Sequence, residues 1–344
     1  MGNFFSKPEV EKPKPKPRPT PRKFVENHWV PVVLLYSYVG TGYHGLQFND
    51  QQPTIEKILL DAISDAGLIP PRAYYCLSKI KWNEASRTDV GVHAAAQVVS
   101  FKLSLPNGYK IRDVVPLISK YLPPDSPITI WKALSMSNNF NAQKFADGRQ
   151  YKYLMPLHAF KEQTEKHLQY IRSEILPHFV GTKNYHNYTK RVTPQSERCK
   201  RTITKFDISH SFNINGEEYV LWTINGKSFM MNQIRKMLAT VLAVSYGLLS
   251  LENLDNTFTL QRWSLSKLPG DGLFLDKVEY TANKKKYADH SWDVEFDDSR
   301  LSVNNWKETV LYPKIAKLVE ETDLFRNWID NVLLVFPPAI NNEE

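Results

Sequence analysis

The chain has 344 residues, of which 42% are hydrophobic, and its formal net charge is +8. This length and apolar content suffice for one large domain or two smaller ones. Its two cysteines, Cys76 and Cys199, give neither a disulfide framework nor a metal-binding spacing, which favours a reducing compartment. The longest apolar stretch, residues 237–249, is too short to span a bilayer, and residues 1–7 lack the apolar core of a secretory signal.

Positive charge is concentrated at the N-terminus. Residues 1–23 contain seven Lys or Arg and two Glu, a balance of +5 that leaves only +3 of the +8 for the rest of the chain. From Lys12 to Pro19 a cation alternates with proline at every step. Proline removes backbone donors and like charges repel, so we expect residues 1–28 to form an extended, disordered basic arm.

Hydrophobic patterning predicts an alternation of strands and helices from Trp29 onward. In residues 29–157 the predicted elements are a strand at 32–38, a glycine-rich loop at 40–45, a helix beginning after Thr54, a helix at 111–121 and strands at 128–134 and 149–157. Thr54 suits an N-cap because its side chain can accept a hydrogen bond from the first helical turn.

The rest of the chain continues this pattern. The predicted elements are a helix at 162–176, strands at 203–214 and 219–224, a helix at 229–246, a strand at 273–280 and helices at 306–320 and 324–334. Asn215-Gly216, between the two neighbouring strands, is a strong signal for a tight hairpin. This alternation favours an α+β fold with a mostly antiparallel sheet.

The segment 85–101 contains the residues with the clearest chemical potential. Arg87, Asp89 and His93 lie close together with Gly91 among them, and a strand-like alternation follows. A carboxylate on a loop that a sheet holds rigidly is a common arrangement for a catalytic group. Asp and Gly are also ordinary turn residues, so a surface turn explains the pattern equally well.

Several motifs resemble those of the tRNA pseudouridine synthase A family. The run Arg87-Thr88-Asp89-Val90-Gly91-Val92-His93-Ala94 is similar to the catalytic signature of that family. Four further segments agree with it in the family's order, namely Tyr43-His44-Gly45-Leu46-Gln47, Phe140-Asn141-Ala142 with Arg149-Gln150-Tyr151-Lys152-Tyr153, Phe229-Met230-Met231-Asn232-Gln233-Ile234-Arg235-Lys236-Met237, and Pro269-Gly270-Asp271-Gly272-Leu273-Phe274-Leu275. Together the motifs fall within residues 30–282.

Two of these features resemble the eukaryotic pseudouridine synthase 1 branch of the family. They are the Met-Met-x-Gln-Ile-Arg-Lys-Met form of the late arginine helix and the run at 181–189. One position departs from that branch, because His93 stands where serine is expected and is closer to the bacterial form.

The resemblance implies a fold and a reaction. The fold is two related α/β halves merged into one mostly antiparallel sheet flanked by helices, with the active cleft between them. The corresponding division is a disordered arm at 1–28, a catalytic half at 29–157, a half with the RNA-binding loop and the arginine helix at 158–282, and a helical extension at 283–344. The reaction isomerises uridine to pseudouridine in RNA. It moves no electron, so we expect no redox cofactor, and we expect no metal.

The resemblance makes Asp89 the essential catalytic residue. Its carboxylate would act as a nucleophile on the ribose or the ring, or as a base on the ribose carbon. Because burial alone would raise the pKa of a carboxyl group, a nearby cation is needed, and Arg235 is the candidate. Its neighbour Lys236 is expected to be solvated.

Four other residues are assigned to substrate contacts by the same resemblance. Tyr151 is expected to lie against the target base, where its hydroxyl could also handle a proton. Arg87 would fill the gap left by the flipped base or contact phosphate, and Leu273 would form an apolar wall. His93 is expected to be a packing or RNA-contact residue.

A basic stretch at residues 183–205 is the predicted RNA-binding loop. Its substrate-binding cations are expected to be Lys190, Arg191, Lys200 and Arg201, with Tyr185, His186 and Tyr188 among them. Cations bind phosphates and aromatic rings stack on bases, which is what an RNA surface needs. A solvated basic loop is the alternative interpretation.

Two functions of different class fit this scaffold: an RNA-uridine isomerase, and a non-catalytic RNA-binding or RNA-chaperone protein. An intact Asp89 favours the enzyme, because a carboxylate beside RNA phosphates opposes binding. Another kind of nucleotide-processing enzyme is disfavoured, since the sequence has no zinc ligand set, P-loop or Rossmann fingerprint.

The expected partner is tRNA, with other structured RNA as a further candidate, and the expected state is a monomer in the nucleus or cytoplasm rather than the mitochondrion. Met1-Gly2-Asn3-Phe4-Phe5-Ser6 fits the N-myristoylation pattern at Gly2, and the basic arm would supply a second membrane signal. We favour an unmodified arm that serves nuclear import or RNA contact, and we expect no stable membrane association.

Overall fold

The computed structural model of the protein describes residues 19–190, 192–281, 297–335 and 337–340. Within these residues the fold is built on one ten-stranded sheet and a small two-stranded one. The strands are β1 (His28–Tyr38), β2 (Asn83–Glu84), β3 (His93–Leu105), β4 (Ile128–Ser135), β5 (Gly148–Pro156), β6 (Gly181–Asn184), β7 (Lys200–Ile208), β8 (Phe212–Ile214), β9 (Glu217–Gly226), β10 (Trp263–Ser264), β11 (Leu273–Glu279) and β12 (Ala339–Ile340).

The main sheet has the order β4-β1-β3-β11-β5-β9-β7-β6, with β2 paired to β3 and β8 paired to β9. Every pairing in it is antiparallel except that of β3 with β11, where His93 lies opposite Phe274. This parallel pair joins a first half, built on β1, β3 and β4, to a second half built on β5 to β9. The predicted fold of two halves merged into one mostly antiparallel sheet is confirmed.

Helices flank the sheet. They are α1 (Ile55–Asp65), α2 (Val114–Ser119), α3 (Glu165–Tyr170), α4 (Gln233–Ser245), α5 (Leu251–Asn256), α6 (Asp297–Trp306), α7 (Tyr312–Thr322) and α8 (Leu324–Trp328). As the sequence predicts, the Thr54 side chain accepts a hydrogen bond from the Lys57 amide at the start of α1. None of the described helices is long and apolar enough to cross a membrane.

The hairpin predicted at Asn215-Gly216 forms, with φ values of 52° and 97° at the two turn residues. Such positive values at both central positions are what a type I′ turn requires. The strand predicted at 203–214 is divided into β7 and β8, and residues 209–211 between them belong to neither strand. The Ser209 hydroxyl accepts a hydrogen bond from the Leu221 amide at 2.9 Å and so takes part in the ladder there.

Helix α4 begins four residues later than the sequence predicts. Asn232 has φ 64°, in the left-handed region, which a right-handed helix cannot continue through. The Gln233 side chain then accepts a hydrogen bond from the Met230 amide at 2.9 Å, which closes a turn ahead of the helix. Residues 229–232 therefore form a turn, and Arg235 lies in the first turn of α4.

The C-terminal helices pack on both halves of the sheet, α6 against β3 and β4 and α7 against β5 and β8. The ammonium group of Lys307 lies 2.7 Å from the Asp276 carboxylate, and the ring of Phe325 meets that of Tyr153 edge to face. At the other end of the chain, Arg22 donates its backbone N–H to the Asp65 carbonyl. The four-part domain division stays a prediction. Gly2 and most of the basic arm lie outside the described residues.

Candidate active site

A pocket of about 400 Å³ opens where the two halves of the sheet meet. Its walls come from the loop before β3, the strand β5, the turn before α4, the first turn of α4 and the start of β11. The pocket brings together five of the residues that the sequence singles out: Arg87, Asp89, Tyr151, Arg235 and Leu273. These residues are far apart in sequence, so the meeting of the two halves creates the site.

The loop that bears Asp89 is held from two sides by close backbone approach. A Cβ at Gly45 would lie 2.8 Å from the Thr88 carbonyl oxygen, and one at Gly270 would lie 2.5 Å from that of Val90. Contacts this short leave no room for a side chain at either glycine. The Thr88 side chain also makes a 2.8 Å hydrogen bond with the Tyr38 hydroxyl. Half-buried Asp89 is thus presented on a loop fixed to the sheet.

Arg149 ties the two walls of the pocket together, and the sequence analysis gave it no role. Its guanidinium donates to the carbonyl of Ala85 at 2.8 Å, just before the loop of Asp89, and to that of Lys227 at 2.9 Å, just before the turn that precedes α4. Strand alternation could have revealed this position, because Arg149 and Tyr151 are two residues apart and share one face of β5.

Tyr151 lies in the pocket with only 6% of its surface exposed. Its hydroxyl is 2.5 Å from that of Ser86, and its ring meets the Phe229 ring edge to face at 5.3 Å between centroids. Burial raises the pKa of the Tyr151 phenol, while the hydrogen bond to Ser86 opposes that rise. Tyr151 therefore stays a neutral phenol at physiological pH and is fixed at its hydroxyl end.

Arg235 lines the pocket but does not pair with Asp89 as the sequence predicts. Its Nε donates to the Leu268 carbonyl oxygen at 2.6 Å, and within the described ranges no ion pair shorter than 4.0 Å joins it to Asp89. A second cation, Lys267, interacts electrostatically with the Asp89 carboxylate. Burial, Arg235 and Lys190 lower the pKa of Lys267, and the charge of Asp89 raises it. Lys267 was not among the residues predicted from the sequence, although it directly precedes the Leu268-Pro269-Gly270 segment.

Comparisons with known proteins agree with these features. A family model described as tRNA pseudouridine synthase matches residues 175–281. The chain is 31% identical over 328 residues to the Pseudouridylate synthase 1 homolog of Mus musculus, an alignment that covers 91% of this chain and 75% of the mouse protein. The chain belongs to the tRNA pseudouridine synthase family.

Two further relatives agree with that assignment. The human Pseudouridylate synthase 1 homolog is 31% identical over 317 residues, covering 88% of this chain and 72% of the human one. The tRNA pseudouridine synthase 1 of Yarrowia lipolytica is 26% identical over 377 residues, covering 83% of this chain and 70% of the yeast one. The predicted resemblance to the pseudouridine synthase 1 branch is confirmed, and the protein is a pseudouridine synthase, an isomerase. The non-catalytic alternative is not favoured.

His93, in the signature of this family, does not face the pocket. It is fully buried, its Nδ1 accepts the Gly40 amide at 2.9 Å, and its Nε2 lies 2.7 Å from the Asp271 carbonyl oxygen. The first bond leaves the proton on Nε2, which donates to Asp271. Burial lowers the pKa of His93 to about 4, so the ring is neutral. Of the two roles expected for His93, packing or RNA contact, the structure supports packing, because both ring nitrogens are bonded within the protein.

Lys236 is not solvated, contrary to the sequence-based expectation. Its ammonium group donates to the carbonyl oxygens of Asn187 at 2.8 Å and Thr189 at 3.3 Å. Burial, together with the charges of Lys190 and Lys267, lowers the pKa of Lys236 to about 8. Lys236 therefore fastens the predicted RNA-binding loop to the helix that carries Arg235.

The aromatic residues of that loop are not available to RNA bases. Tyr185 and Tyr188 are fully buried, with hydroxyl groups bonded to the Phe179 carbonyl and the Thr257 side chain, and His186 is 4% exposed. Their assignment to an RNA surface is wrong, because these side chains form the core beneath the loop.

The four predicted cations of the loop fall into different situations. Lys190 is exposed, and its charge acts on both Lys236 and Lys267. Lys200 is exposed and pairs with Glu197 at 2.8 Å, while Arg201 donates to backbone carbonyls. Arg191 lies outside the described residues. In the part of the chain that the structure describes, no group of three or more His, Cys, Asp or Glu could hold a metal ion.

Proposed function

We propose that this chain converts uridine to pseudouridine in tRNA, with Asp89 as the essential catalytic residue. The observation that carries the proposal is the pocket itself, in which Asp89, Tyr151 and Leu273 surround a space of about 400 Å³. A volume of that order suits one nucleoside-sized ligand rather than a whole helix. An RNA base enters such a pocket only when it is flipped out of its stack.

The reaction needs little beyond one carboxylate and a closed space for the base. The bond from uracil N1 to the ribose C1′ breaks, the base turns over, and a bond from C5 to C1′ forms. N1 gains a proton and C5 loses one, so the product is an isomer of the substrate. Asp89 acts as a nucleophile on the ribose or the ring, or as a base on the ribose carbon, and the geometry is compatible with each role.

Tyr151 and Leu273 are proposed to hold the base while it turns. Flipping a base costs a few kcal/mol, and stacking on an aromatic ring returns about 1–3 kcal/mol. Leu273 is 6% exposed at the start of β11 and closes the pocket on its apolar side. Arg87 is exposed at the rim, where it would fill the gap in the stack or contact a phosphate.

We further propose that the protein acts in the nucleus or cytoplasm as a monomer, and that the basic arm serves import or RNA contact. The arm follows Gly2, which fits the N-myristoylation pattern. An intact-mass measurement on the protein from its native host distinguishes an acylated N-terminus from an unmodified one. Added acyl mass would contradict an unmodified arm.

Mapping of pseudouridine at nucleotide resolution tests the proposed reaction. Unfractionated tRNA is incubated with the wild-type protein or with Asp89→Asn, a nearly isosteric variant that lacks the charge and the nucleophile. New pseudouridine at discrete positions is expected with the wild type alone. Absence of product with the wild type contradicts the proposed substrate. Turnover by Asp89→Asn within about tenfold of wild type, or 1.4 kcal/mol of barrier, contradicts the role of Asp89.

A further inference from the structure

Two consecutive residues of α4 fasten two different loops to the mouth of the pocket. The Arg235 Nε donates to the Leu268 carbonyl at 2.6 Å, and the Leu268 amide returns a bond to the Arg235 carbonyl at 3.2 Å. The Lys236 ammonium donates to the carbonyls of Asn187 and Thr189. Lys267 and Lys190, the neighbours of Leu268 and Thr189, are thereby brought to the same end of α4.

The segment that carries Lys267, residues 267–270, is fixed at successive backbone positions. The Trp328 indole donates to the Lys267 carbonyl at 2.8 Å, and the Tyr153 hydroxyl donates to the Pro269 carbonyl at 3.0 Å. Gly270 packs against the backbone of Val90 in the loop of Asp89. The backbone of Lys267 is thus held rigidly against the catalytic loop, so only its side chain has to be ordered when a ligand binds.

Positive charge exceeds negative charge around Lys190 and Lys267. Lys190 and Lys267 are both exposed, and neither has an ion pair shorter than 4.0 Å among residues 19–190, 192–281, 297–335 and 337–340. Burial lowers the pKa of both Lys267 and Lys236. Arg235 and Lys190 lower that of Lys267 further, and Lys190 and Lys267 lower that of Lys236 further, so the four cations repel one another. The carboxylates that act on this group are those of Asp89, which raises the pKa of Lys267, and Asp271, whose raised pKa is opposed by Arg235.

The substrate itself contains the anion that fits beside these cations. Whichever role Asp89 has, it acts at the ribose or the base of the target nucleotide, and each ribose carries a phosphate at both ends. A flanking phosphate must therefore lie one sugar ring away from Asp89, at the mouth of the pocket. The first turn of α4 also borders the pocket, and its amide groups add partial positive charge there.

We propose that Lys190 and Lys267 together bind the RNA phosphate next to the target uridine, a subsite that rests on the proposed function. The two ammonium groups offset the repulsion between that phosphate and the Asp89 carboxylate. A phosphate contact carries no sequence information, but it fixes the register of the RNA on the protein. The subsite thus sets which nucleotide along a flipped segment reaches Asp89.

The test combines single lysine variants with RNA that lacks one phosphate charge. The probe is a synthetic tRNA that contains a mapped target uridine and one uncharged methylphosphonate linkage on its 5′ or 3′ side. The proteins are wild type, Lys190→Ala and Lys267→Ala. Matched controls are Lys79→Ala and Lys120→Ala, which remove exposed lysines that belong to the first half and do not act on Lys236 or Lys267. The quantity measured is kcat/KM.

On one side of the uridine, the uncharged linkage should lower kcat/KM of the wild type and both controls by about tenfold or more. Lys190→Ala and Lys267→Ala should show that loss already with unmodified RNA and lose little more with the uncharged linkage. If the uncharged linkage lowers kcat/KM of these two variants by the same factor as it does for the controls, the proposal is overturned. An RNA whose kcat/KM is unaffected by either uncharged linkage would overturn it as well.

A binding measurement separates failure of the subsite from failure of the proposed function. Affinity for unfractionated tRNA is measured against salt in an Asp89→Asn background, so that no turnover is needed. Loss of the contact with one phosphate should reduce the logarithmic salt slope by about 0.7, so Lys190→Ala combined with Lys267→Ala should reduce it by about that amount, because both lysines bind the same phosphate. The double control should leave the slope unchanged. If the wild type forms no pseudouridine, this binding measurement still tests the phosphate contact, since an unchanged slope in the double variant contradicts that contact.

Discussion

The hydroxyl groups of Ser86 and Tyr151 lie 2.5 Å apart and join the loop of Asp89 directly to strand β5. Their hydrogen bond means that the Tyr151 hydroxyl already has a partner before RNA binds. The ring of Tyr151 lines the pocket, where we propose that it stacks on a base, while its oxygen holds the ring at a fixed distance from the catalytic loop. The ring of Tyr151 is therefore assigned to stacking and its hydroxyl to anchoring, two roles that the sequence alone does not distinguish.

Tyr151→Phe should lose less activity than Tyr151→Ala, because the ring remains for stacking. Breaking the bond to Ser86 should cost about 0.5–1.5 kcal/mol of unfolding free energy, whereas Tyr151→Ala should cost about 3–5 kcal/mol. Ser86→Ala removes the same bond from its other end and serves as the control. If Tyr151→Phe is far less active than Ser86→Ala in kcat, the hydroxyl transfers a proton and is more than an anchor.

Asp89→Asn should bind tRNA as tightly as the wild type or somewhat more tightly. The side chain keeps its size, and the charge that it loses opposes the RNA phosphates. We expect a change in dissociation constant of no more than about tenfold, measured by filter binding at fixed salt. Weaker binding by Asp89→Asn, in a protein with an unchanged circular dichroism spectrum, would mean that Asp89 contributes to binding rather than only to the reaction.

Gly270→Ala should reduce activity strongly, because the added Cβ would lie 2.5 Å from the Val90 carbonyl and must displace the loop of Asp89. Gly148→Ala is the matched control. Its Cβ would lie 2.6 Å from a carboxylate oxygen of Glu279, the flexible end of a side chain that can move away. We expect single-turnover rates to fall by about a hundredfold or more for the first variant and by little for the second. Equal rates in the two variants would show that the loop tolerates displacement.

His93 should make the protein less stable as the pH falls below neutrality. The pKa of His93 is about 4 in the folded protein, against about 6.5 in the unfolded chain, so between these values the unfolded state binds more protons. The stabilisation is complete above pH 6.5 and is lost as the pH falls towards 4, on the order of 3 kcal/mol in total. Denaturant unfolding from pH 7 to 4.5 should show this slope in the wild type and a shallower one in His93→Gln. Parallel pH profiles for the two proteins would contradict it.

Much of the fold could be predicted because its signals are local. Thr54 caps its helix through the first turn, and Asn215-Gly216 forms its hairpin, through contacts within a few residues. The start of α4 could not be predicted, since helical spacing continues through 229–232 and only the left-handed Asn232 ends it. Tyr185 and Tyr188 were misplaced because the ring of Phe258, which packs against both, comes from a distant part of the sequence.

The site could be predicted only as a set of residues. Asp89 and Tyr151, from two different motifs, do line one pocket, as the family resemblance implies. Their partners could not be inferred, since Arg235, Lys236 and Arg149 are all fixed by backbone carbonyls of distant segments. A carbonyl group is present at every position and leaves no trace in the sequence. The same reasoning explains why Lys267 was overlooked.

The parallel pairing of β3 with β11 has a consequence for the protein while it is being made on the ribosome. Strand β3 ends at Leu105, but its neighbour β11 begins only at Leu273, so the His93 end of this edge stays unpaired until most of the chain has been synthesised. An open edge can pair with other chains. The same pairing aligns the segments on both sides of the pocket, so the nascent protein acquires its active site as one of its last steps. A truncated translation product that ends before Leu273 would therefore be inactive and prone to aggregate.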